Sequence, residues 1–552
     1  MKEKIPHQKP LAISVEDWAC ERAVNEMDIG NHQEALAILD GLLAKNPRHY
    51  LARLNRGQCL SVLGRHEEAV RDLYAMHERA PDDLRVLKIC GIAHTRGGHF
   101  EMAMQFLQRY TKAKPNDYAA WESMASAAIK MGLYTNALMY ATQALGLEPL
   151  NPNAYNNLGA TLIAVNRLYE AEQAFQTALA IDPNNAYALS NLGTIAFERD
   201  NFAESIKHYE AVLAKVDVSS YFGMDLLYRS SFAYLGVGQL REGWRRYDYG
   251  FCPTDRSSRR PKRKFGVPQW AGEPLREKRL LVWGEQGLGD ELWFFGMLNE
   301  VLALCQNVIV ECDPRLVSLL QRSFPSVLVR PSRLTKANLL DSTDFDLHIP
   351  VGSLMSLFVL EIEDVKKYKP YIKPEKNIKD YFLKRLLPYR GKKLIGVCWR
   401  SGKIDSARSK HYLSIEDLIS PLISDDAIFV NLQYGPCEEE LSRVEEKYGI
   451  KIIRWEDIDL KDNLEQVAAL ISTLDIVVSA GTAVAEMAMA VGQQLIVFGP
   501  FGWRFLGQSE FPWGENVLYF TPTDGDELKS VIPRIKFVMD NNLIRNIIQD
   551  ES

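Results

Sequence analysis

Small and apolar residues recur along the first half of the chain at a fixed step. Alanines stand at 35, 69, 103, 137 and 171, and prolines at 47, 81, 115, 149 and 183, each set 34 residues apart. With proline at about 5% of positions, four further hits at one offset arise by chance on the order of once in 100,000 trials. Glycines at 57, 91, 159 and 193 and at 30, 64, 98 and 132 keep the same register. The pattern predicts helical hairpins. One glycine set lies inside each first helix, where a missing side chain lets the partner helix approach, and the other marks the turn. The alanine falls where the second helix presses on the first, and the proline follows that helix, where a lost N–H costs little. The cleanest copy runs from Ala154 to Pro183; a sixth puts Asp217 at the proline position, and a seventh, shifted near Ser219, holds Gly238, Leu240 and Tyr247. Its decay predicts a cap.

A 34-residue period is that of the tetratricopeptide repeat (TPR), of which the chain holds about seven copies. Single hairpins cannot bury their apolar faces, so they stack into an α-solenoid with a concave surface suited to extended peptides or protein faces. Asn55, Asn157 and Asn191 share one first-helix position. They either line that groove and bond an acceptor backbone or sit as polar residues on a solvated face.

After Trp270 the helical period gives way to short β-rich runs: LLVW, NVIVEC, SVLVRP and DLHIP, then from near Lys392 KLIGVCW, AIFVNLQY, IKIIRW, LDIVVSA and QQLIVFGP. Strand and helix alternation predicts two Rossmann-like lobes of parallel sheet, with a ligand at the carboxyl ends of the strands. The expected boundaries are a solenoid over 15–252, a basic linker over 253–270, an N-terminal lobe over 271–385 and a C-terminal lobe over 386–552. In the linker Arg256, Arg259, Arg260, Lys262, Arg263 and Lys264 form either a solvated stretch or a patch that attracts an anionic donor or an acidic partner.

Composition narrows the function classes. Of 552 residues 47% are hydrophobic and 25% charged, with a net charge of -6, which does not suggest a nucleic-acid partner. The eight cysteines are scattered without CxxC pairs or metal-ligand spacing, so neither a disulfide framework nor a metal is expected. The N-terminus lacks a signal-like apolar stretch, and the apolar run Leu474 to Pro500 is interrupted by Asp475, Glu486, Gln493 and Gln494. The expectation is a cytoplasmic protein without a membrane span.

The motif richest in candidate chemistry is WGEQGLGDELWFF, Trp283 to Phe295. Gly287 and Gly289 permit a tight turn, and the helix that follows points N–H groups at whatever lies there. It lacks both GxGxxG and the P-loop lysine. Asp290 is either a helix cap or a general base. His348 and His411 have no carboxylate partner visible in the sequence and receive no role.

Taken with Pro268 to Glu273, LIGVCWRSG, NLQYG and SAGTAVAEMAMAVG, this motif resembles the bacterial TPR glycosyltransferases, whose catalytic domain is similar to that of the heptosyltransferases, and the whole architecture resembles O-GlcNAc transferase. The resemblance implies a GT-B fold, a metal-independent transfer without a cofactor, a nucleotide-sugar donor lying mainly on the C-terminal lobe, and Asp290 as the base. Charge on the leaving phosphate then falls to Arg400, Arg408 and Lys410, unless these form a solvated basic loop; Gln433 and Tyr434 meet the base or ribose and Trp503 and Arg504 stack or bind charge, unless the aromatics serve packing alone; Gly481, Thr482 and Glu486 form a second donor element. Many relatives carry Asp at position 481 and His at 486, so Gly481 and Glu486 depart from the pattern and put the donor in question. The implied function is O-glycosylation of Ser or Thr on a protein held by the solenoid, with flagellin and a CMP-linked nonulosonic acid as the pair the resemblance favours. The alternatives are an adaptor with a degenerate transferase domain and a glycolipid or lipopolysaccharide glycosyltransferase.

Overall fold

The computed structural model describes residues 15–251, 260, 263–332, 339–340, 344–402, 411–523 and 526–541. It divides into two compact units, Met1–Leu192 and Gly193–Ser552.

The first unit is a run of helical hairpins, from Val15–Asp28 with His32–Lys45 to Pro152–Ala164 with Leu168–Ile181. Each glycine of the first helices is required by its neighbour. A Cβ at Gly57 would lie 2.7 Å from Leu73 Cγ, at Gly91 2.4 Å from Leu107 Cγ, and at Gly159 2.5 Å from Phe175 Cε1. The repeated alanines at 35, 69, 103, 137 and 171 are all 0% exposed. Turn glycines 30, 64, 98 and 132 have φ between +72° and +85°, and Asn166 keeps that left-handed geometry at φ +60°. A further series that the periodicity holds lies at the helix starts. His49, Asp83, Asp117, Asn151 and Asn185 each accept a backbone N–H from two or three residues on, through their side chains, at 2.8–3.3 Å.

The boundary between the units falls within helix Ala186–Glu198, which leads into Phe202–Leu213, and the second unit then holds a further hairpin, Tyr221–Gly236 with Leu240–Tyr247. The last is no solvent-facing cap. Trp244 and Tyr247 are 1% and 3% exposed and share one core cluster with the parallel sheets. Its decay from the repeat therefore reflects packing against that region.

Strands in chain order are β1 Lys264–Phe265, β2 Leu280–Trp283, β3 Val308–Cys312, β4 Leu328–Pro331, β5 Leu339–Leu340, β6 Leu347–Pro350, β7 Lys393–Cys398, β8 Ala427–Asn431, β9 Ile452–Ile453, β10 Ile476–Ala480, β11 Leu495–Phe498 and β12 Val517–Phe520. All nine apolar runs of the sequence form strands; β1, β5 and β12 were not expected. One sheet has the order β4-β3-β2-β6, the other β12-β11-β10-β7-β8-β9, and β1 pairs with β5. Every pairing is parallel, with Val282 opposite Val310 and Ile349, and Ser479 opposite Cys398 and Val497. Strands β2, β3, β10 and β11 are buried along their whole length, which explains why they read as continuous apolar runs. Strand order reverses between β2 and β6 in the first sheet and between β7 and β10 in the second, and such switch points open a crevice at the strand ends.

Candidate functional site

Both glycine-bearing motifs sit at these switch points. Beyond β2, a Cβ on Gly284 would stand 2.2 Å from Glu291 Oε1, so a side chain there would displace the Glu291 carboxylate. The N-cap of helix Leu288–Phe294 is Gly287; Asp290 is the third residue of the helix, and its carboxylate accepts the Gly287 N–H at 3.2 Å. Asp290 is thus half of a capping box rather than the cap itself. Its outer side is exposed. Burial on its other sides and the neighbouring Glu486 raise its pKa above the usual aspartate range, while Arg504 pulls it down.

Beyond β10, Thr482 caps helix Ala483–Val491 by accepting Val484 N–H at 3.3 Å. The two helices pack closely. A Cβ on Gly289 would lie 3.5 Å from Glu486 Cγ and 3.6 Å from Ala483 Cα. Glu486 is buried, and its anion is not bare: Arg504 donates to both carboxylate oxygens at 2.6 and 3.2 Å. The Arg504 guanidinium lies 4.1 Å from the centre of the Trp293 ring, on the Asp290 helix. Gly481, Glu486, Trp503, Arg504 and Tyr519 line a cavity of about 310 Å³. The Tyr519 hydroxyl would be 2.5 Å from a Cβ at Gly499, whose space it takes, and 3.7 Å from one at Gly481, an ordinary contact.

Other expected donor residues are engaged within the protein. Arg400 is ion-paired with Glu440 and donates to Pro436 O at 2.7 Å. Gln433 is 1% exposed; its Oε1 accepts the N–H groups of Trp399 and Arg400 at 3.2 and 3.0 Å, and its Nε2 donates to Tyr434 O. It fastens the loop after β7, leaving its amide oxygen no reach toward a nucleotide. Arg408 and Lys410 lie outside the described residues, as do Cys252, Arg256, Arg259 and Lys262. The three asparagines are part-exposed and each bonds to the first helix of the preceding hairpin: Asn55 to Cys20 Sγ at 3.5 Å, Asn157 to Glu122 Oε1 at 2.7 Å and Asn191 to Asn156 Oδ1 at 2.9 Å.

The solvated-linker reading fails for two arginines. Arg260, 0% exposed, donates to Glu285 at 2.5 Å, to Asp248 and Tyr247 O at 3.0 Å, and to Ser353 at 3.2 Å, between the rings of Tyr247 and Phe251. Arg263 donates to buried Glu311 at 2.5 Å. Their carboxylate partners are distant in sequence and were missed. So was Glu291, a buried carboxyl that accepts Asp313 N–H at 2.8 Å and whose pKa burial raises to about 7. His348 accepts Trp283 Nε1–H at 3.2 Å and is a core histidine, its pKa lowered by burial to about 4. Among the described residues no group of three or more His, Cys, Asp or Glu is arranged to hold a metal ion, and no helix is long and apolar enough to cross a membrane.

Residues 20–84 and 152–185 match models of the tetratricopeptide repeat. The chain is 31% identical over 299 residues to Protein FlbA of Caulobacter vibrioides, an alignment covering 52% of this chain and 50% of that one. It therefore spans about half the length of the curated relative it matches. Among solved structures, PilW, a widely conserved type IV pilus biogenesis factor, is 20% identical, with 39% of this chain and 100% of that one covered and a TM-score of 0.34. YrrB, a TPR protein with an unusual peptide-binding site, is 19% identical, with 32% and 97% covered and a TM-score of 0.27.

Proposed function

We propose that this protein transfers a sugar from a nucleotide-sugar to a Ser or Thr hydroxyl of a protein captured by its TPR hairpins. The observation that supports it best is the facing pair of strand-order reversals: the turn before Asp290 and the capped helix after Gly481 meet where open parallel sheets place ligands. In this reading Asp290 takes the proton of the acceptor hydroxyl as that oxygen bonds to the sugar and the nucleotide leaves with the bonding electrons. A carboxyl whose pKa is raised from the usual range suits a base working near neutral pH. The N–H groups of helix Ala483–Val491, together with Arg408 and Lys410, are the proposed support for the leaving phosphate. Flagellin and a CMP-linked nonulosonic acid are the first acceptor and donor to test, in a cytoplasmic setting.

An adaptor without transferase activity is favoured by one observation: Arg400, two residues beyond β7, and Arg504, six beyond β11, are both tied to carboxylates, Glu440 and Glu486. Calorimetry with UDP-, GDP-, dTDP- and CMP-sugars separates the two readings. The enzyme binds one of them and Asp290→Asn retains that binding while losing transfer; no heat with any donor would leave the adaptor.

A further inference from the structure

Asp290 and Glu486 stand on facing helices, which pack where a Cβ on Gly289 would touch both Glu486 and Ala483. Two carboxylates this near do not both ionise readily without a cation. Glu285 has its own partner in Arg260, so the cation on Glu486 decides the balance. That cation, Arg504, touches both helices: it grips Glu486 through both terminal nitrogens and lies over the ring of Trp293, three residues from Asp290.

Its place is set from elsewhere. Trp503 packs 5.0 Å from the ring of Phe232 and 6.1 Å from that of Trp244, both in the terminal hairpin. Leu506, 0% exposed, is held at φ +52°, a region that costs a branched side chain energy and persists where packing enforces it. Gly507, at φ +77°, and Gly238, at φ +79°, meet backbone to backbone: a Cβ on Gly507 would lie 2.9 Å from Gly238 N, and one on Gly238 3.1 Å from Leu506 O.

We propose that Arg504 is a positioning residue for Asp290, holding Glu486 in an ion pair so that Asp290 ionises, and that the hairpin turn at Gly238 holds Arg504 in place. This rests on the reading of Asp290 as a base and adds what tunes it. The other groups facing this centre are Glu285 and Glu291 on its own segment, Tyr247 on the hairpin, and Tyr368 and Tyr519 around Glu486. None of these changes in the variants below.

Two readouts test it. Thermal unfolding of the full chain without ligand is followed from pH 5 to 8. In Arg504→Gln, Asp290 loses the cation that lowers its pKa and keeps in the folded protein a proton that the unfolded chain has released, so Tm falls more steeply with rising pH than in the wild type. Adding Glu486→Gln returns the slope to the wild-type value. In transfer assays the acid limb of the pH profile moves to higher pH in Arg504→Gln, with about a tenfold loss at the acidic end for each unit it moves. Gly238→Ala, which leaves every charge in place, shifts both readouts in the same direction by less, and stands in if Arg504→Gln does not fold. An Arg504→Gln slope equal to the wild type's overturns the role of Arg504, and unchanged profiles in Gly238→Ala overturn that of the hairpin. If the wild type transfers no sugar, the proposed function falls while the thermal arm still decides this inference.

Discussion

Replacing Arg260 by Met removes a guanidinium that is 0% exposed and leaves the carboxylate of Glu285, whose side chain is also 0% exposed, without its cation. Breaking a buried ion pair from one side costs about 3–5 kcal/mol, because the remaining charge stays desolvated. Asp248 loses a partner too, but at 34% side-chain exposure it recovers water and adds little. Changing Glu285 to Leu as well removes the stranded charge, so Arg260→Met/Glu285→Leu should regain most of the loss. It stays below the wild type by about 1–3 kcal/mol, since the Gly352 N–H, which donates to Glu285 at 3.0 Å, is left without an acceptor. Urea unfolding followed by tryptophan fluorescence measures this. Of the ten tryptophans, Trp18 and Trp121 lie in the first unit and the remaining eight in the second, so the signal reports chiefly on the unit that carries the pair. An Arg260→Met variant within about 1 kcal/mol of the wild type, or a double variant no better than the single, would refute the reasoning.

His94, 6% exposed, has its pKa lowered by burial to about 4 and should stay neutral in the folded first unit down to that pH. The unfolded chain takes up the proton from about pH 6.5, so this contribution is whole above pH 6.5 and falls by about 3 kcal/mol towards pH 4. Acid unfolding of His94→Phe should show that much less pH dependence. Gly159→Val forces a side chain into Phe175 and should cost about 1–3 kcal/mol of first-unit stability by circular dichroism, against near neutrality for a substitution at exposed Tyr169. Asp290→Asn should lower transfer at least a hundredfold at neutral pH with Tm unchanged within a few degrees, since the amide oxygen can still accept the Gly287 N–H.

What was legible in the sequence was what repeats or runs continuously. The 34-residue step identified the hairpins because each glycine and alanine meets the same neighbour in every copy, and the buried parallel strands betrayed themselves as unbroken apolar runs. β12 escaped because Leu518 and Tyr519 are only partly buried and the run VLYF follows a polar stretch. The site was legible as motifs but not as partnerships. Glu486 read as an added anion because Arg504, 18 residues later, gives no local sign of returning to it. Arg260 read as solvated because basic runs usually are, and Glu285 lies 25 residues on, within a motif whose glycines drew the attention. Gln433 looked like a ligand contact because it ends a strand; its side chain turns back to cap the neighbouring loop's N–H groups. Departures from the repeat in the terminal hairpin had the same origin, as Trp244 serves the sheets' core and not another hairpin.

The central claim is that the paired strand-end crevice moves an activated sugar to a protein. Purified full-length chain is incubated with flagellin and a panel of UDP-, GDP-, dTDP- and CMP-sugars, and the acceptor is weighed intact. The account predicts a mass increase of one or more sugar units with a single nucleotide class, absent with Asp290→Asn. An acceptor mass unchanged with every donor, under conditions where the protein is folded and binds that acceptor, would contradict it.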